Sequence, residues 1–234
     1  MVGWRQIGPH PAIAAWAAAA RPLAVKALAT TDQPLRCGGT WAVGLDLLPN
    51  APDGSVAGVA FPWDAVGLAA QPLHRGQLST VYPDYPRTSP DESDAAFRFR
   101  RNRDAAHLDG VLAVGADKRR MIKEPHGWIL GLPLTDCSPD AAPLVVWEGS
   151  HRIIRHALRA AVAGHPPETW GNIDVTAAYK SARAQVFETC RRIEVPSRPG
   201  QATLLHRLTI HGVAHGPQPP PPRPRAGSSP ISGP

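Results

Sequence analysis

The chain has 234 residues, carries a formal net charge of +6, and contains 27 prolines and three cysteines. This length fits one large domain or two small ones, and its basic residues are scattered in short groups, which argues against a nucleic-acid partner. Three cysteines far apart in sequence argue against both a disulfide framework and a zinc knuckle, so a cytoplasmic location is expected.

The first predicted element is helical. The alanine-rich stretch 11–29 predicts a helix that is broken near Arg21 and Pro22, because proline removes a helix hydrogen bond. Charged residues interrupt this stretch and no basic start precedes its apolar run. We therefore expect neither a signal peptide nor a membrane-spanning segment, and no membrane partner.

Short apolar segments separated by turn residues predict a sheet over the next part of the chain. The predicted strands are 40–48, 56–61, 77–82, 111–114 and an extended segment over 121–134, with a proline-rich exposed loop at 82–91. A strand over 143–149 follows, with Ser150 as the N-cap of a helix over 152–163. A second helix, capped by Asp174, is predicted up to Arg191, and a final strand runs from Gly200 to His211.

One pair of side chains in this pattern points to metal chemistry. His107 and Asp109 are two residues apart, so on an extended strand both project from one face. With one more imidazole they would complete the two-histidine, one-carboxylate face of non-haem iron oxygenases. A His-x-Asp triplet also arises often by chance, and the alternative interpretation is a surface histidine beside a turn aspartate.

Two histidines of the final strand are candidates for the third ligand. His206 and His211 are an odd number of residues apart, so in one regular strand they face opposite sides and only one faces inward. If His211 faces inward, Thr209 and Arg207 do so too.

The segment from Ile129 to Asp136, followed by the strand that ends in Gly149-Ser-His151, resembles the central motif of the phytanoyl-CoA dioxygenase family. The His-x-Asp pair lies upstream of it and a glycine-flanked His211 downstream, as in that family, which favours His211 as the third ligand. The resemblance covers residues 96–216. It implies a mainly β fold with flanking helices, a double-stranded β-helix (jelly roll, cupin-like). We expect residues 1–214 to form one such domain with an N-terminal helical segment.

The same resemblance implies an enzyme that binds Fe(II) and 2-oxoglutarate and uses dioxygen to hydroxylate a small molecule. The far carboxylate of 2-oxoglutarate needs a cation, and Arg223 and Arg225 have a suitable spacing after His211. Thr209 is the third residue predicted to bind this cosubstrate. His126 and Trp128 are predicted to line the substrate pocket.

The C-terminal residues depart from the family. Consecutive prolines cannot pair in a sheet, so residues 215–234 predict a disordered tail and a barrel whose last strand is missing or altered, by hypothesis through a frameshift near Ala214 or a truncated gene model. Arg207 could then serve the keto acid instead. Three functions stay open: an active hydroxylase, a catalytically impaired remnant that binds metal or ligand without turnover, and a cupin-like metal protein that uses no keto acid.

Overall fold

The computed structural model describes residues 2–136 and 141–215. In chain order its helices and strands are β1 (Trp4–Ile7), α1 (Pro11–Thr30), β2 (Trp41–Leu48), α2 (Trp63–Val66), β3 (Gly76–Val81), α3 (Asp94–Arg101), β4 (Val111–Val114), β5 (Arg119–Ile122), β6 (Trp128–Gly131), β7 (Leu144–Trp147), α4 (Ser150–Ala161), α5 (Thr176–Thr189), β8 (Arg192–Val195), β9 (Ala202–His206) and β10 (His211–Val213). A 3₁₀ helix (Pro167–Asn172) joins α4 to α5.

The described strands form small antiparallel sheets. Two have three strands, in the orders β1-β9-β6 and β10-β7-β8, and two are the hairpins β2-β3 and β4-β5. Among the described residues these sheets close into no barrel. The chain is therefore β-rich with packed helices, which confirms the predicted fold at this coarser level.

The prediction of one final strand from Gly200 to His211 is wrong, because the chain turns in the middle of this segment. β9 ends at His206, the amide of Thr209 donates to the His206 carbonyl at 2.8 Å, and β10 begins at His211 in the other three-stranded sheet. The odd spacing of His206 and His211 therefore says nothing about their faces, since the two residues belong to different sheets.

Ser150 does not act as the predicted N-cap. The cap position belongs to Gly149, which has a positive φ of 81°, and α4 already includes Ser150. The Ser150 hydroxyl instead accepts a hydrogen bond from the buried amide of Ile210 at 3.0 Å. This bond ties the start of α4 to the turn between β9 and β10.

Helix α1 is unbroken, so the break predicted near Arg21 and Pro22 is wrong. It begins at Pro11, where the ring of His10 accepts a hydrogen bond from the Ala12 amide, and it continues through Pro22 to Thr30. Proline removes one hydrogen bond from a helix, and burial of one face of α1 against the sheet β2-β3 and its neighbours keeps the helix continuous. That face consists of Ile13, Trp16, Ala17, Ala20 and Ala24.

By length and composition alone, α1 could also cross a membrane. It contains 20 mostly apolar residues near the N-terminus. The expectation that no stretch is long and apolar enough to span a membrane is therefore wrong at the level of length and composition. Core helices of soluble proteins and signal sequences meet the same criterion.

Other differences are local. Residues 56–61 form no strand, because Val56 and Val59 bridge each other within a tight turn. The extended segment predicted over 121–134 is divided between β5 and β6. Helix α3 is not predicted, whereas β2, β3, β4, β7 and α5 lie where their patterns place them. Asp174 accepts from the Thr176 amide at 2.9 Å, one residue before the cap position of α5.

The largest hydrophobic cluster lies between β7 and the helices α4 and α5, and it includes Ala106 and Leu108. These two residues are 3% and 4% exposed, whereas the alternating residues His107 and Asp109 are only partly buried. The segment therefore turns its apolar side chains toward the helices and its polar ones the other way, as a locally extended chain does.

Candidate metal centre

The structure brings His107, Asp109 and His211 together. One potential ligand atom from each residue lies within 4.8 Å of the other two. His107 and His211 form an isolated antiparallel bridge, in which the His107 amide donates to the His211 carbonyl at 2.8 Å and the His211 amide donates back at 3.2 Å. Directly opposed residues of antiparallel strands project to the same side, so the two imidazole rings lie with centroids 4.5 Å apart.

The carboxylate of Asp109 lies between the two rings. Its Oδ1 is 3.3 Å from Nε2 of His107, and its Oδ2 is 3.6 Å from Nε2 of His211. The chain then turns at Gly110, whose φ is +77°. A methyl group on Gly110 would approach the Glu124 carbonyl oxygen to 2.2 Å, so only glycine allows this close contact behind Asp109.

Both rings are oriented by backbone carbonyls. Nδ1 of His107 lies 3.1 Å from the carbonyl oxygen of Ala105, and Nδ1 of His211 lies 3.0 Å from that of Thr209. A carbonyl only accepts, so Nδ1 carries the hydrogen in each ring and Nε2 has a free lone pair. Metal-binding histidines are fixed in the same way by a partner on the other nitrogen.

The protonation states suit metal binding. Burial opposes ionisation of Asp109, but its contacts with His107 and His211 outweigh burial and lower the pKa of the carboxyl to about 2. Burial, together with the nearby His107 charge, lowers the pKa of His211 to about 4. At neutral pH the pair is therefore a carboxylate and a neutral imidazole, the forms that coordinate metals.

The donor set fits a divalent iron ion. Two imidazole nitrogens and one carboxylate on one face leave the opposite positions open, the arrangement of non-haem Fe(II) oxygenases. The His211 side chain is 9% exposed, while those of His107 and Asp109 are 38% and 34% exposed. A ligand would therefore reach the ion past His107 and Asp109.

Thr209 supports the site through its neighbours. Its buried hydroxyl donates to the Gly3 carbonyl at 2.7 Å, and its own carbonyl receives the Nδ1 hydrogen of His211. Contact between Thr209 and the cosubstrate stays a prediction. Arg207 is exposed in the turn after β9, and Arg223 and Arg225 lie outside the described residues.

The two predicted pocket residues lie in sequence before and within β6. The segment before His126 is held against Gly110, because the amides of Lys123 and Glu124 both donate to the Gly110 carbonyl, at 2.9 and 3.3 Å. The charge of His126 contributes to lowering the pKa of both Asp109 and His211. Trp128 is half-buried at the start of β6.

Helix α5 supplies two site residues that sequence patterns do not reveal. Arg183 donates from Nη2 to the Ala106 carbonyl at 2.6 Å, and Tyr179 packs in the hydrophobic cluster that contains Ala106 and Leu108. The Arg183 hydrogen bond holds the main chain directly before His107. Tyr179 fits the helical apolar spacing, but nothing in the sequence indicates that Arg183 reaches a backbone carbonyl.

The model of one protein family, described as Phytanoyl-CoA dioxygenase (PhyH), matches residues 85–215. The match covers more than half of the chain and contains His107, Asp109 and His211. No curated protein and no solved structure matches the chain significantly.

Proposed function

The chain belongs to the phytanoyl-CoA dioxygenase family, and we propose that it is an Fe(II)- and 2-oxoglutarate-dependent dioxygenase that hydroxylates a small molecule. The family supports a dioxygenase as the general class of enzyme. The observation that carries the proposal is the convergence of three potential ligand atoms within 4.8 Å.

In this proposal Nε2 of His107, the Asp109 carboxylate and Nε2 of His211 are the protein ligands of the iron. Iron and the keto acid, when bound, supply the oxidation of a substrate C–H bond. The chain holds the two imidazoles by their Nδ1 hydrogens, and the anionic Asp109 offsets part of the ionic charge. Ala106 and Leu108, buried against the helices, close the rear of the site to water.

The remaining assignments rest on the family. Arg223 and Arg225 would pair with the far carboxylate of 2-oxoglutarate, Thr209 would contact it, and His126 and Trp128 would line the substrate pocket. We propose a jelly roll as the finer fold, which is supported by the passage of the chain from one three-stranded sheet to the other between β9 and β10. Dioxygen and a small molecule are the proposed partners, and the cytoplasm the proposed compartment.

Turnover of the keto acid tests this function. The full chain is incubated in air with Fe(II), ascorbate and 2-oxoglutarate, and succinate is measured. We expect succinate from the natural chain and from His74→Ala, which changes an exposed histidine. We expect none from His107→Ala, or from Asp109→Asn as a second variant should His107→Ala fail to fold.

Other results select between the alternatives. A chain that binds Fe(II) and 2-oxoglutarate without forming succinate would be the impaired remnant. A chain that binds Fe(II) but shows no heat of binding with 2-oxoglutarate would be a cupin-like metal protein. A folded chain that binds neither Fe(II) nor 2-oxoglutarate would overturn all three functions.

A further inference from the structure

Helix α5 carries a row of alternating aromatic and basic side chains. Tyr179, Arg183 and Phe187 follow one another at intervals of four residues, so they lie on one face of the helix. Arg120 from β5 packs at one end of this row, with its guanidinium carbon 5.9 Å from the centroid of the Tyr179 ring. The row therefore collects basic side chains from elements that are remote in sequence.

At the other end of the row, two guanidinium groups contact the same two rings. The guanidinium carbon of Arg103 lies 4.1 Å from the ring centroid of Phe99 and 5.3 Å from that of Phe187. The guanidinium carbon of Arg183 lies 5.0 Å from the Phe187 centroid and 6.0 Å from the Phe99 centroid. Groups that lie this near to the same two rings are close neighbours, so Arg103 and Arg183 form a pair of like charges.

No acidic side chain neutralises this pair within the part of the chain that the structure describes. The ion pairs there involve other arginines, and none includes Arg103, Arg120 or Arg183. Of these three guanidinium groups, only that of Arg183 donates a hydrogen bond to a described residue, from Nη2 to the Ala106 carbonyl. Each guanidinium has five N–H donors, so Arg103 and Arg120 keep theirs for water or a ligand.

The uncompensated charge lies at the protein surface. Phe99 is 50% exposed, and Arg103, Arg120 and Arg183 are each half-buried. Burial lowers the pKa of Arg183, and the charges of Arg120 and Arg103 lower it further. The rings attract the guanidinium groups, but they carry no net charge that could balance them. An anion from solution would supply that balance.

We propose that Arg103 and Arg183, supported by the charge of Arg120, bind an oxyanion, which is the phosphate or carboxylate group of a small molecule. A guanidinium group recognises such a group through two parallel hydrogen bonds. Contact with Phe99 and Phe187 restricts the two arginine side chains before the anion arrives, which lowers the entropy cost of binding.

This oxyanion site is separate from the metal-binding triad of His107, Asp109 and His211. Arg183 contacts the segment of the triad through the Ala106 carbonyl, one residue before His107. The oxyanion, however, needs no metal ion. The inference therefore goes beyond the proposed function, and either of the two can fail alone.

Calorimetric titration of the full, metal-free chain tests the site. Pyrophosphate and malonate are titrated separately at constant ionic strength, which keeps the screening of charges equal. We expect Arg103→Gln to weaken binding of the tighter probe by about tenfold, the value of one charge-assisted hydrogen bond. Arg98→Gln removes the same charge from an exposed position on α3. It is the matched control and should change the affinity by less than about twofold.

Arg103→Lys keeps the charge and loses the planar fork, so it should weaken binding by a smaller factor, and it replaces Arg103→Gln if that variant fails to fold. Tighter binding of pyrophosphate gives the natural ligand a phosphate group, and tighter binding of malonate gives it a carboxylate. A folded natural chain that binds neither probe overturns the inference. Equal weakening in Arg103→Gln and Arg98→Gln also overturns it, because only the net charge of the chain would then matter.

Discussion

Ser150 joins two parts of the chain through one hydroxyl group. It is fully buried and accepts the hydrogen bond of the Ile210 amide, which is also buried. Removing the hydroxyl leaves that amide without a partner, which costs about 1–3 kcal/mol. We expect Ser150→Ala to lower the free energy of unfolding by this amount in urea denaturation. The exposed Ser181→Ala on α5 should change it by less than about 0.5 kcal/mol, and equal effects of the two variants would contradict the account.

His151 is a buried titratable group outside the triad. It is 3% exposed, and its ring centroid lies 4.9 Å from that of His206. Burial, followed by the charge of His206, lowers its pKa from 6.5 to about 4. The unfolded chain therefore binds this proton more readily, so the contribution of His151 to stability is complete above about pH 6.5 and is lost as the pH falls toward 4.

The pH dependence tests this assignment. His151→Phe keeps a ring without a titratable group, so its unfolding free energy should change less between pH 7 and pH 5 than that of the natural chain. His206 and His211 remain in the variant and retain part of the pH dependence of the unfolding free energy, because the pKa of each is also lowered. If urea denaturation gives the variant and the natural chain the same change of unfolding free energy between the two pH values, His151 does not contribute to the pH dependence of stability.

Helix α5 acts as a support for the metal-binding segment. Because Arg183 holds the backbone directly before His107 through the Ala106 carbonyl, loss of the Arg183 guanidinium should loosen the His107 ring. We expect Arg183→Met to weaken Co(II) binding by roughly tenfold, as for other residues that orient metal ligands. The exposed Lys180→Met on the same helix is the matched control and should have no effect. Equal Co(II) affinities for both variants would remove α5 from the site.

Strand β10 must lie very close to the segment before His107. A Cβ on Gly212 would lie 2.2 Å from the Asp104 carbonyl oxygen and 3.1 Å from the backbone of Ala106. Gly212→Ala should therefore push β10 outward, separate His211 from His107, and weaken both Co(II) binding and stability. Gly127→Ala, where no atom lies within 4 Å of the added methyl group, is the control. Tight Co(II) binding by Gly212→Ala would contradict this packing.

Elements with a local cause could be predicted from sequence. Strands β2, β3 and β7 follow from their own apolar residues and the turn residues that bound them. Helix α3 was missed because it buries no side chain, so it lacks the apolar periodicity that marks a helix. The division between β9 and β10 depends on contacts with Gly3 and Ser150, which are remote in sequence.

The candidate site, too, could be predicted where its cause is local and could not where it depends on residues remote in sequence. The spacing of His107 and Asp109 places them together, and only the family resemblance selected His211 over His206. The support that Arg183 gives to the His107 segment could not be predicted from sequence. It is a hydrogen bond to a backbone carbonyl, and every residue has such a carbonyl whatever its side chain.

At the scale of the whole molecule, two sides of the chain have different roles. The cluster around α4 and α5 buries the rear of the His107 segment, whereas the side chains of His107 and Asp109 stay partly exposed on the other face. Residues from distant parts of the chain thus form one centre with a closed rear and an accessible front. This division is what the proposed function requires, because an oxygenase must admit its ligands to one side of the metal only.

Binding of Fe(II) together with 2-oxoglutarate tests this account most directly. The full chain is titrated anaerobically with Fe(II) in the presence of 2-oxoglutarate, and the charge-transfer absorption of the chelated keto acid is followed in the visible range. We predict a band that saturates at one Fe(II) per chain and is absent from folded His107→Ala and Asp109→Ala variants. A folded natural chain that gives no such band, or variants that keep it, would contradict the assignment of His107, Asp109 and His211 as the iron ligands of a 2-oxoglutarate-dependent enzyme.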